Sequence, residues 1–422
     1  MNRLHALIVL SIFCLQTGCM GTGSAGDAGL PDIPDVSADA GGDGGFLEDT
    51  GRDAGDFDTG VVSDGGVDAG VGDAGDRAPW FRCRSSTPPS GDNIATVFNK
   101  ADQYFTSTDD RRNIRASAKM PYGGPWAQIR LRLQLDCPAD NVCDKWDRLA
   151  SLSLVLNPGE AGEELLELER YVTPFGIGMC FETDVTRYSS LLNGTRTFSS
   201  FIDTWVGPTT KTYGHGWRVT LSLVFVPGQP SSPEPRIYNL LKPVNVVIGD
   251  PAKPIVAQAP IADLYVEAPF SRAEIRGVFT GHGQGNLDNC GEFCQLMSAV
   301  IVNGTVIVDV PWRGDCDTNP NGSKQGGTWE YARNGWCPGA YAIPWLTSVT
   351  ELISLGSLTR FSMDVLDMQP APYLNSCRPG AGGPSNTCEG CVFNLGPGNC
   401  DYNGGDHTEP NIFSSMQLFV YP

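Results

Sequence analysis

Histidine is almost absent from this sequence of 422 residues, and its scarcity argues against several classes of enzyme. The four histidines are His5, His215, His282 and His407, and none belongs to a His-Glu-x-x-His or other paired motif. No Gly-x-Ser-x-Gly segment occurs. Serine hydrolases, zinc peptidases and copper monooxygenases therefore lose their usual signatures. Carboxylates must carry any hydrolysis that this chain performs.

Long amphipathic helical patterns are also missing, and short alternating segments take their place. Apolar residues alternate with polar ones at positions 129–135 and 219–225, which is typical of half-buried strands. Residues 300–308 predict a hairpin closed by an Asn303-Gly304 turn. Many strands with irregular connections favour an all-β fold of antiparallel sandwiches. The Pro/Ser-rich stretch 227–235 is the best internal boundary, which predicts one sandwich in residues 81–235 and another in 236–422.

The apolar run at residues 4–15 is too short to span a bilayer and follows a basic start at Arg3. It ends in Gly18-Cys19, which resembles the lipobox of bacterial lipoproteins, although Gln16 stands where an aliphatic residue is preferred. Residues 1–19 are therefore predicted to be a signal peptide, with Cys19 lipidated. We expect an outer-membrane or cell-surface lipoprotein that touches the membrane only through its lipid. Simple cleavage and secretion is the alternative.

Residues 20–80 are rich in Asp, Gly and Ala and are predicted to be a disordered tether. Positions 20–78 hold fourteen acidic residues and two arginines, a balance of −12 within the formal net charge of −19. Such a segment cannot bury a core and repels itself. A calcium-binding repeat is the other interpretation, but the fixed nonapeptide period that such repeats need is absent. A solvated spacer fits better, and nucleic acid is not an expected partner.

Cysteine is unusually frequent for a cytosolic protein. Without Cys14 and Cys19, twelve of the fourteen cysteines remain, an even number that suits disulfides in an exported chain. Two short segments place carboxylates between cysteines, at 137–148 and 290–294. Small disulfide loops can position an acid or base accurately. Structural clips with solvated charges, or a four-thiolate zinc site, are the alternatives.

At these two segments the sequence resembles the peptide-N-glycosidase F family, bacterial amidases that remove whole N-linked glycans from glycoproteins. Cys-Asp-Lys-Trp-Asp-Arg at 143–148 is similar to the family's Cys-Asp-Glu-Trp-Asp-Arg. Further motifs follow in the family's order, at 170–175, 184–192, 203–205, 290–294, 316–320 and 333–339. The resemblance covers about residue 91 to the C-terminus.

The resemblance implies two jelly-roll antiparallel β-sandwich domains packed side by side, with substrate in the cleft between them. It also implies hydrolysis of the amide between asparagine and the first N-acetylglucosamine, which leaves aspartate. N-glycosylated proteins or glycopeptides would be the substrates of a monomeric enzyme. No metal or organic cofactor is implied.

The family's site residues are carried over by position. The resemblance makes Asp147 the primary catalytic aspartate and Glu292 the second acid, which orders a bridging water. Asp203, the counterpart of a sugar-contacting glutamate, is the third predicted catalytic acid. The remaining implied contacts with substrate are made by Arg148, Arg333, Trp146, Trp205 and Trp336. Each tryptophan could offer a flat face to a sugar ring or be a core aromatic.

Two departures from the family pattern concern the site. Asp203 replaces a glutamate and is one methylene shorter. Residues 281–284 replace a stretch that carries tryptophan and histidine in the family, so His282 is a weak candidate for contact. These departures motivate the rival prediction of a non-catalytic, surface glycan-binding protein on the same fold. A second rival, a monooxygenase related by fold, lacks the histidines that copper needs.

The resemblance also implies three disulfides, Cys137–Cys143, Cys290–Cys294 and Cys316–Cys337. It leaves Cys83 and Cys180 unassigned, together with four cysteines in a predicted Cys-rich loop at 377–400. We interpret that loop as a stapled surface excursion, with an extra glycan or partner contact as the alternative.

Overall fold

The computed structural model describes residues 83, 85, 90–138, 142–208, 214–283, 290–369, 371–375 and 409–422. The predicted signal peptide, the lipidation at Cys19, the tether at 20–80 and the Cys-rich loop at 377–400 lie outside these residues. All of the described residues belong to one compact unit within residues 70–422. No helix within the described ranges is long and apolar enough to cross a membrane.

Strands make up most of the regular secondary structure of the described chain, as the alternating pattern predicts. Two short helices are α1 (Ile255–Gln258) and α2 (Cys290–Phe293). The strands are β1 (Ile94–Gln103), β2 (Asn113–Lys119), β3 (Trp126–Asp136), β4 (Leu149–Leu156), β5 (Glu164–Val172), β6 (Met179–Asp184), β7 (Thr195–Ile202), β8 (Trp217–Pro227), β9 (Arg236–Val247), β10 (Leu264–Tyr265), β11 (Arg272–His282), β12 (Met297–Val302), β13 (Thr305–Asp309), β14 (Trp312–Arg313), β15 (Arg333–Asn334), β16 (Ala340–Tyr341), β17 (Trp345–Ser348), β18 (Leu358–Thr359), β19 (Phe361–Leu366) and β20 (Asn411–Tyr421).

Two antiparallel sheets enclose the first hydrophobic core, with strand orders β1-β8-β3-β6 and β16-β5-β4-β7-β2. The two predicted apolar stripes lie side by side on the paired strands β3 and β8, where Leu131 is opposite Leu223 and Leu133 is opposite Leu221. These four leucines are fully buried. One face of each strand therefore turns inward, which is why the alternation was visible in the sequence.

A second core lies between the sheets β17-β11-β20-β9 and β13-β12-β19. The predicted hairpin is confirmed as β12 and β13, with Val302 opposite Thr305. Asn303 and Gly304 both have positive φ, 51° and 86°, as the tightest hairpin turns require. These paired sheets confirm the predicted all-β sandwich class. The division at 227–235 stays a prediction, although β8 and β9 lie on either side of it in different sheets.

Charged residues of β5 pack against the second sandwich. Glu167 and Arg170 form an ion pair at 2.6 Å, and both side chains are wholly buried. Arg170 donates to the carbonyl of Val278 in β11 and to that of Phe413 in β20. Arg276 of β11 donates back to the carbonyl of Leu168. Polar groups thus join the two sandwiches. These groups are hydrogen-bonded to one another, as buried polar groups generally are.

All three disulfides implied by the resemblance are confirmed. A fourth, Cys83–Cys180, joins residues 97 positions apart and ties the start of the described chain to β6.

Candidate active site

One end of the β16-β5-β4-β7-β2 sheet gathers residues from three separate parts of the chain. Arg148 immediately precedes β4, Asp203 immediately follows β7 and Thr173 follows β5. Leu149 is opposite Val172, and the amide of Asp203 donates to the carbonyl of Leu149. Neighbouring antiparallel strands run in opposite directions, so the start of β4 and the ends of β5 and β7 lie at the same end of the sheet. The three residues therefore lie side by side.

The segment that carries Asp147 is fastened on both sides. Thr173 accepts a hydrogen bond from the Arg148 amide at 2.8 Å and donates to the carbonyl of Trp146 at 3.3 Å. The Cys137–Cys143 disulfide closes the chain just before this segment. Asp147 is thereby held between two fixed backbone positions.

Glu292 comes from the other sandwich, in the four-residue helix α2 that the Cys290–Cys294 disulfide closes. The helix lies close against the end of β11, where a Cβ on Gly281 would stand 2.0 Å from the carbonyl oxygen of Gly291. Only glycine fits at position 281 without a shift of backbone. Residues 281–283, which depart from the family pattern, therefore support the helix that carries Glu292. Gln284 lies outside the described residues.

Arg333 joins the two acids. Its Nε donates to Oε1 of Glu292 at 3.0 Å, and its Nη2 lies 3.7 Å from Oδ2 of Asp147. The remaining donors bind the carbonyls of Thr328 and Tyr331 and the hydroxyl of Thr328, each at 2.8 Å. The guanidinium is only 1% exposed. We therefore revise the prediction that Arg333 contacts substrate: it is a buried residue that binds Glu292 and lies beside Asp147.

Burial and the neighbouring carboxylate of Glu292 raise the pKa of Asp147 to about 7, against the opposing influence of Arg333 and Arg148. An aspartate with a pKa near neutrality can exchange a proton readily at the pH of most reactions. Burial also raises the pKa of Asp203, and Arg148 and Arg112 oppose that rise. Arg148 thus acts on both aspartates.

Arg148 is the more accessible of the two predicted arginines, with 18% of its side chain exposed. Its Nε donates to Oδ2 of Asp144 at 2.7 Å. Asp144 itself is completely buried. A guanidinium that is oriented by a buried carboxylate and partly exposed to solvent is suited to donate a hydrogen bond to a substrate oxygen.

Trp146 and Trp205 are about half exposed, at 51% and 53%, so each can offer a ring face to a ligand. The guanidinium of Arg112 stacks on Trp205, 4.2 Å from the ring centroid, and lies 3.8 Å from Asp203. Phe105 packs against the same indole at 5.2 Å.

Trp336 is a core aromatic and not a sugar platform, because it is only 3% exposed. Its indole nitrogen donates to the carbonyl of Gly281, and its ring stacks on His282 and lies against Arg333. Burial, with the charges of Arg170 and Arg333, lowers the pKa of His282 to about 3. His282 is therefore a neutral packing residue, and Trp336 is part of the support for Arg333.

Three residues at this site were not assigned a role from the sequence: Asp144, Thr204 and Arg112. Asp144 stands inside the quoted motif, but nothing in a short run of charged residues distinguishes a buried carboxylate from a solvated one. Thr204 likewise stands between two assigned residues. Arg112 lies in an ordinary polar stretch, and only the pairing of β2 with β7 brings it to Trp205.

Residues 253–372 match the family model described as peptide-N-glycosidase F, C terminal. The chain is 24% identical over 232 residues to peptide-N(4)-(N-acetyl-beta-D-glucosaminyl)asparagine amidase F of Elizabethkingia miricola. That match spans 51% of this chain and 61% of the relative. The chain is therefore similar to peptide-N-glycosidase F proteins over part of its length.

Solved structures of the family share the fold. A recombinant peptide N-glycanase F superposes with a TM-score of 0.59 at 18% identity, covering 78% of this chain and 96% of that one. The glycosylasparaginase PNGase F from Flavobacterium meningosepticum gives the same values. PNGF-II superposes at 0.52 with 16% identity, covering 78% of this chain and 65% of that one.

The family-model match contains Glu292, Arg333 and Trp336, whereas Asp147, Arg148 and Asp203 lie before its first residue. For those three, the correspondence rests on the motifs quoted above and on the geometry of the sheet end.

Proposed function

We propose that this protein is an amidase that hydrolyses the bond between asparagine and the first N-acetylglucosamine of N-linked glycans. The observation that carries the proposal is the convergence of Asp147, Glu292 and Arg333 from two sandwiches. One carboxylate has a pKa of about 7, a second lies beside it, and one buried guanidinium holds both. Paired carboxylates with different environments are a recurrent device for acid–base hydrolysis.

In the proposed reaction, water attacks the carbonyl carbon of the asparagine side chain. Asp147 accepts a proton from that water, and Glu292 orders it. Arg148 donates to the oxygen on which negative charge develops. The carbon–nitrogen bond then breaks as Asp147 passes the proton that it accepted to the departing nitrogen. The nitrogen leaves as a glycosylamine, and the new carboxylic acid of the peptide loses its proton to solvent. Every step uses side chains of the described residues and water.

The sugars would lie across Trp146 and Trp205, whose faces are accessible, with Asp203 beside them. Aromatic faces are suited to the apolar face of a sugar ring, and a carboxylate can accept hydrogen bonds from its hydroxyls. This arrangement directs the glycan toward the end of the first sandwich and the asparagine toward Asp147 and Glu292.

The test is mass spectrometry of an N-glycosylated peptide incubated with the full chain in water enriched in oxygen-18. Amidase action replaces Asn by Asp and places one heavy oxygen in the new carboxylate, whereas cleavage of a glycosidic bond leaves Asn unlabelled. Asp147→Asn should abolish the product. The matched variant Asp102→Asn, at a surface pair with Arg218 (2.9 Å), should not.

An intact glycopeptide that is retained tightly by the wild-type protein would instead favour the glycan-binding alternative. An intact glycopeptide without retention would contradict both functions.

We also propose that the protein works outside the cytoplasm. The four disulfides are typical of an oxidising compartment. Membrane fractionation of the wild type against Cys19→Ala tests the predicted lipid anchor: release of the variant supports it, and equal retention contradicts it.

A further inference from the structure

The completely buried carboxylate of Asp144 accepts four hydrogen bonds at the candidate site. Oδ1 accepts from the amide of Trp146 at 3.0 Å and from Nη2 of Arg148 at 3.4 Å. Oδ2 accepts from Nε of Arg148 and from the hydroxyl of Thr204, both at 2.7 Å. Four donors saturate a carboxylate. Complete burial excludes direct contact with a ligand.

These four bonds connect two segments that are distant in sequence. Trp146 and Arg148 flank Asp147, and Thr204 stands between Asp203 and Trp205. One carboxylate therefore binds the neighbours of both aspartates that the first sandwich contributes to the site. Moving it would move both segments.

The backbone of Asp144 is itself fixed. Its amide donates to the carbonyl of Gly216 at 3.3 Å, and its carbonyl accepts from the amide of Gly176 at 2.9 Å. Gly214 has a positive φ of 104°, and a Cβ there would stand 1.9 Å from the carbonyl oxygen of Cys143. The carboxylate thus projects from a backbone that has little room to adjust.

The pair with Arg148 differs from the wholly buried pair of Glu167 and Arg170, which joins the two sandwiches. There, both side chains are enclosed and the guanidinium is used up by interior carbonyls. Here, the acid is enclosed and the arginine is partly exposed. The charge of Arg148 also opposes the rise that burial causes in the pKa of Asp147 and of Asp203. A pair of this asymmetric kind orients an exposed cation.

We propose that Asp144 is a positioning residue for the hydrolysis, which fixes Arg148 against Asp147 and aligns the Asp203–Trp205 segment through Thr204. Its effect on turnover rests on the proposed function, whereas its effect on the geometry of Arg148 does not.

Asp144→Asn tests the proposal because it keeps the shape of the side chain but removes one acceptor for Arg148. We expect kcat for the glycopeptide to fall about 100-fold with KM changed by less than about 3-fold, since small misplacements of reacting groups cost that much. Asp102→Asn, which removes a carboxylate from a surface arginine, should leave kcat unchanged.

Thr204→Val removes a single hydrogen bond and protects the test against misfolding of the first variant. It should lower kcat about 3- to 10-fold and retain the wild-type circular dichroism spectrum. In an Arg148→Gln background, Asp144→Asn should have little further effect, since residues that act as a unit are not additive. Additive losses would overturn the proposed route through Arg148.

A second readout is independent of turnover. The Nε–H of Arg148, observed by NMR in arginine-labelled protein, should exchange slowly with solvent in the wild type and at least about 10-fold faster in Asp144→Asn. An active wild type with unchanged kcat in Asp144→Asn overturns the proposal. If the wild type shows no amidase activity, the proposed function fails, and the exchange rates alone decide whether Asp144 fixes Arg148. Unchanged exchange would then overturn it.

Discussion

The Nε of Arg333 donates to Oε1 of Glu292 at 3.0 Å, from a side chain that is almost completely buried. Forty-one positions separate the two residues. The guanidinium also lies between the rings of Phe293 and Trp336, at 5.1 and 4.6 Å from their centroids. A planar fork of donors fits this slot, and a compact ammonium cannot reach the same partners at once.

Arg333→Lys should therefore lower kcat by at least about 100-fold, because Glu292 and Asp147 lose their common anchor. It should also reduce the free energy of unfolding by about 1–3 kcal/mol, since buried carbonyls are left without a donor. Urea denaturation and glycopeptide turnover measure the two effects. Arg360→Lys, at an exposed pair 3.6 Å from Asp263, is the control and should change neither appreciably. Normal turnover in Arg333→Lys would contradict the role of anchor.

The pH dependence of turnover should report the pKa of Asp147. Burial and the charge of Glu292 raise that pKa to about 7, so the carboxylate is protonated below this pH and ionised above it. A base must be ionised, and kcat/KM should therefore rise about 10-fold per pH unit below 7 and level off above 8. Initial rates between pH 5 and 9 provide the measurement. A rate that falls as pH rises through 7 would mean that Asp147 acts in its protonated form.

The strand pattern was predictable because burial on one face leaves an alternation that survives in the sequence. Leu131 and Leu223 belong to stripes recognised separately, and they prove to be direct partners. The Asn303-Gly304 turn was predictable for a different reason, since few residues tolerate two successive positive φ values.

The roles of individual site residues were less predictable, because they depend on how distant strand ends meet. Asp144 and Asp147 are three positions apart in one motif, yet only the first is enclosed by Thr204 from another strand end. Trp336 could be a sugar platform or a core aromatic until its burial was known. The pairing of Cys83 with Cys180 joins residues 97 positions apart, and local spacing carries no trace of it.

The tryptophans should separate binding from folding. Trp146→Ala and Trp205→Ala remove exposed rings, so we expect KM to rise about 5- to 30-fold, the equivalent of about 1–2 kcal/mol of lost contact, with the melting temperature little changed. Trp336→Ala removes a buried ring and should cost about 3–5 kcal/mol of stability. Steady-state kinetics and thermal melting distinguish the two classes. An unchanged KM in both exposed variants would exclude them as sugar platforms.

Two of the disulfides should differ in what they contribute to stability and to turnover. Cys290–Cys294 spans four positions and closes the helix of Glu292, whereas Cys83–Cys180 spans 97 and is attached to β6, a strand that carries neither of the paired acids. Loop entropy predicts a loss of about 2 kcal/mol on removing the short bridge and about 4.7 kcal/mol on removing the long one.

Turnover should follow the reverse order. The double variant Cys290→Ser/Cys294→Ser frees the carboxylate of Glu292 to leave Arg333, so kcat should fall about 10- to 100-fold while the protein stays folded. Cys83→Ser/Cys180→Ser should keep most of its kcat at temperatures below its own lowered melting point. Both variants are compared by denaturant midpoint and by initial rate at one permissive temperature. If activity followed stability alone, the long-bridge variant would be the less active one, and the short disulfide would have no special part in holding Glu292.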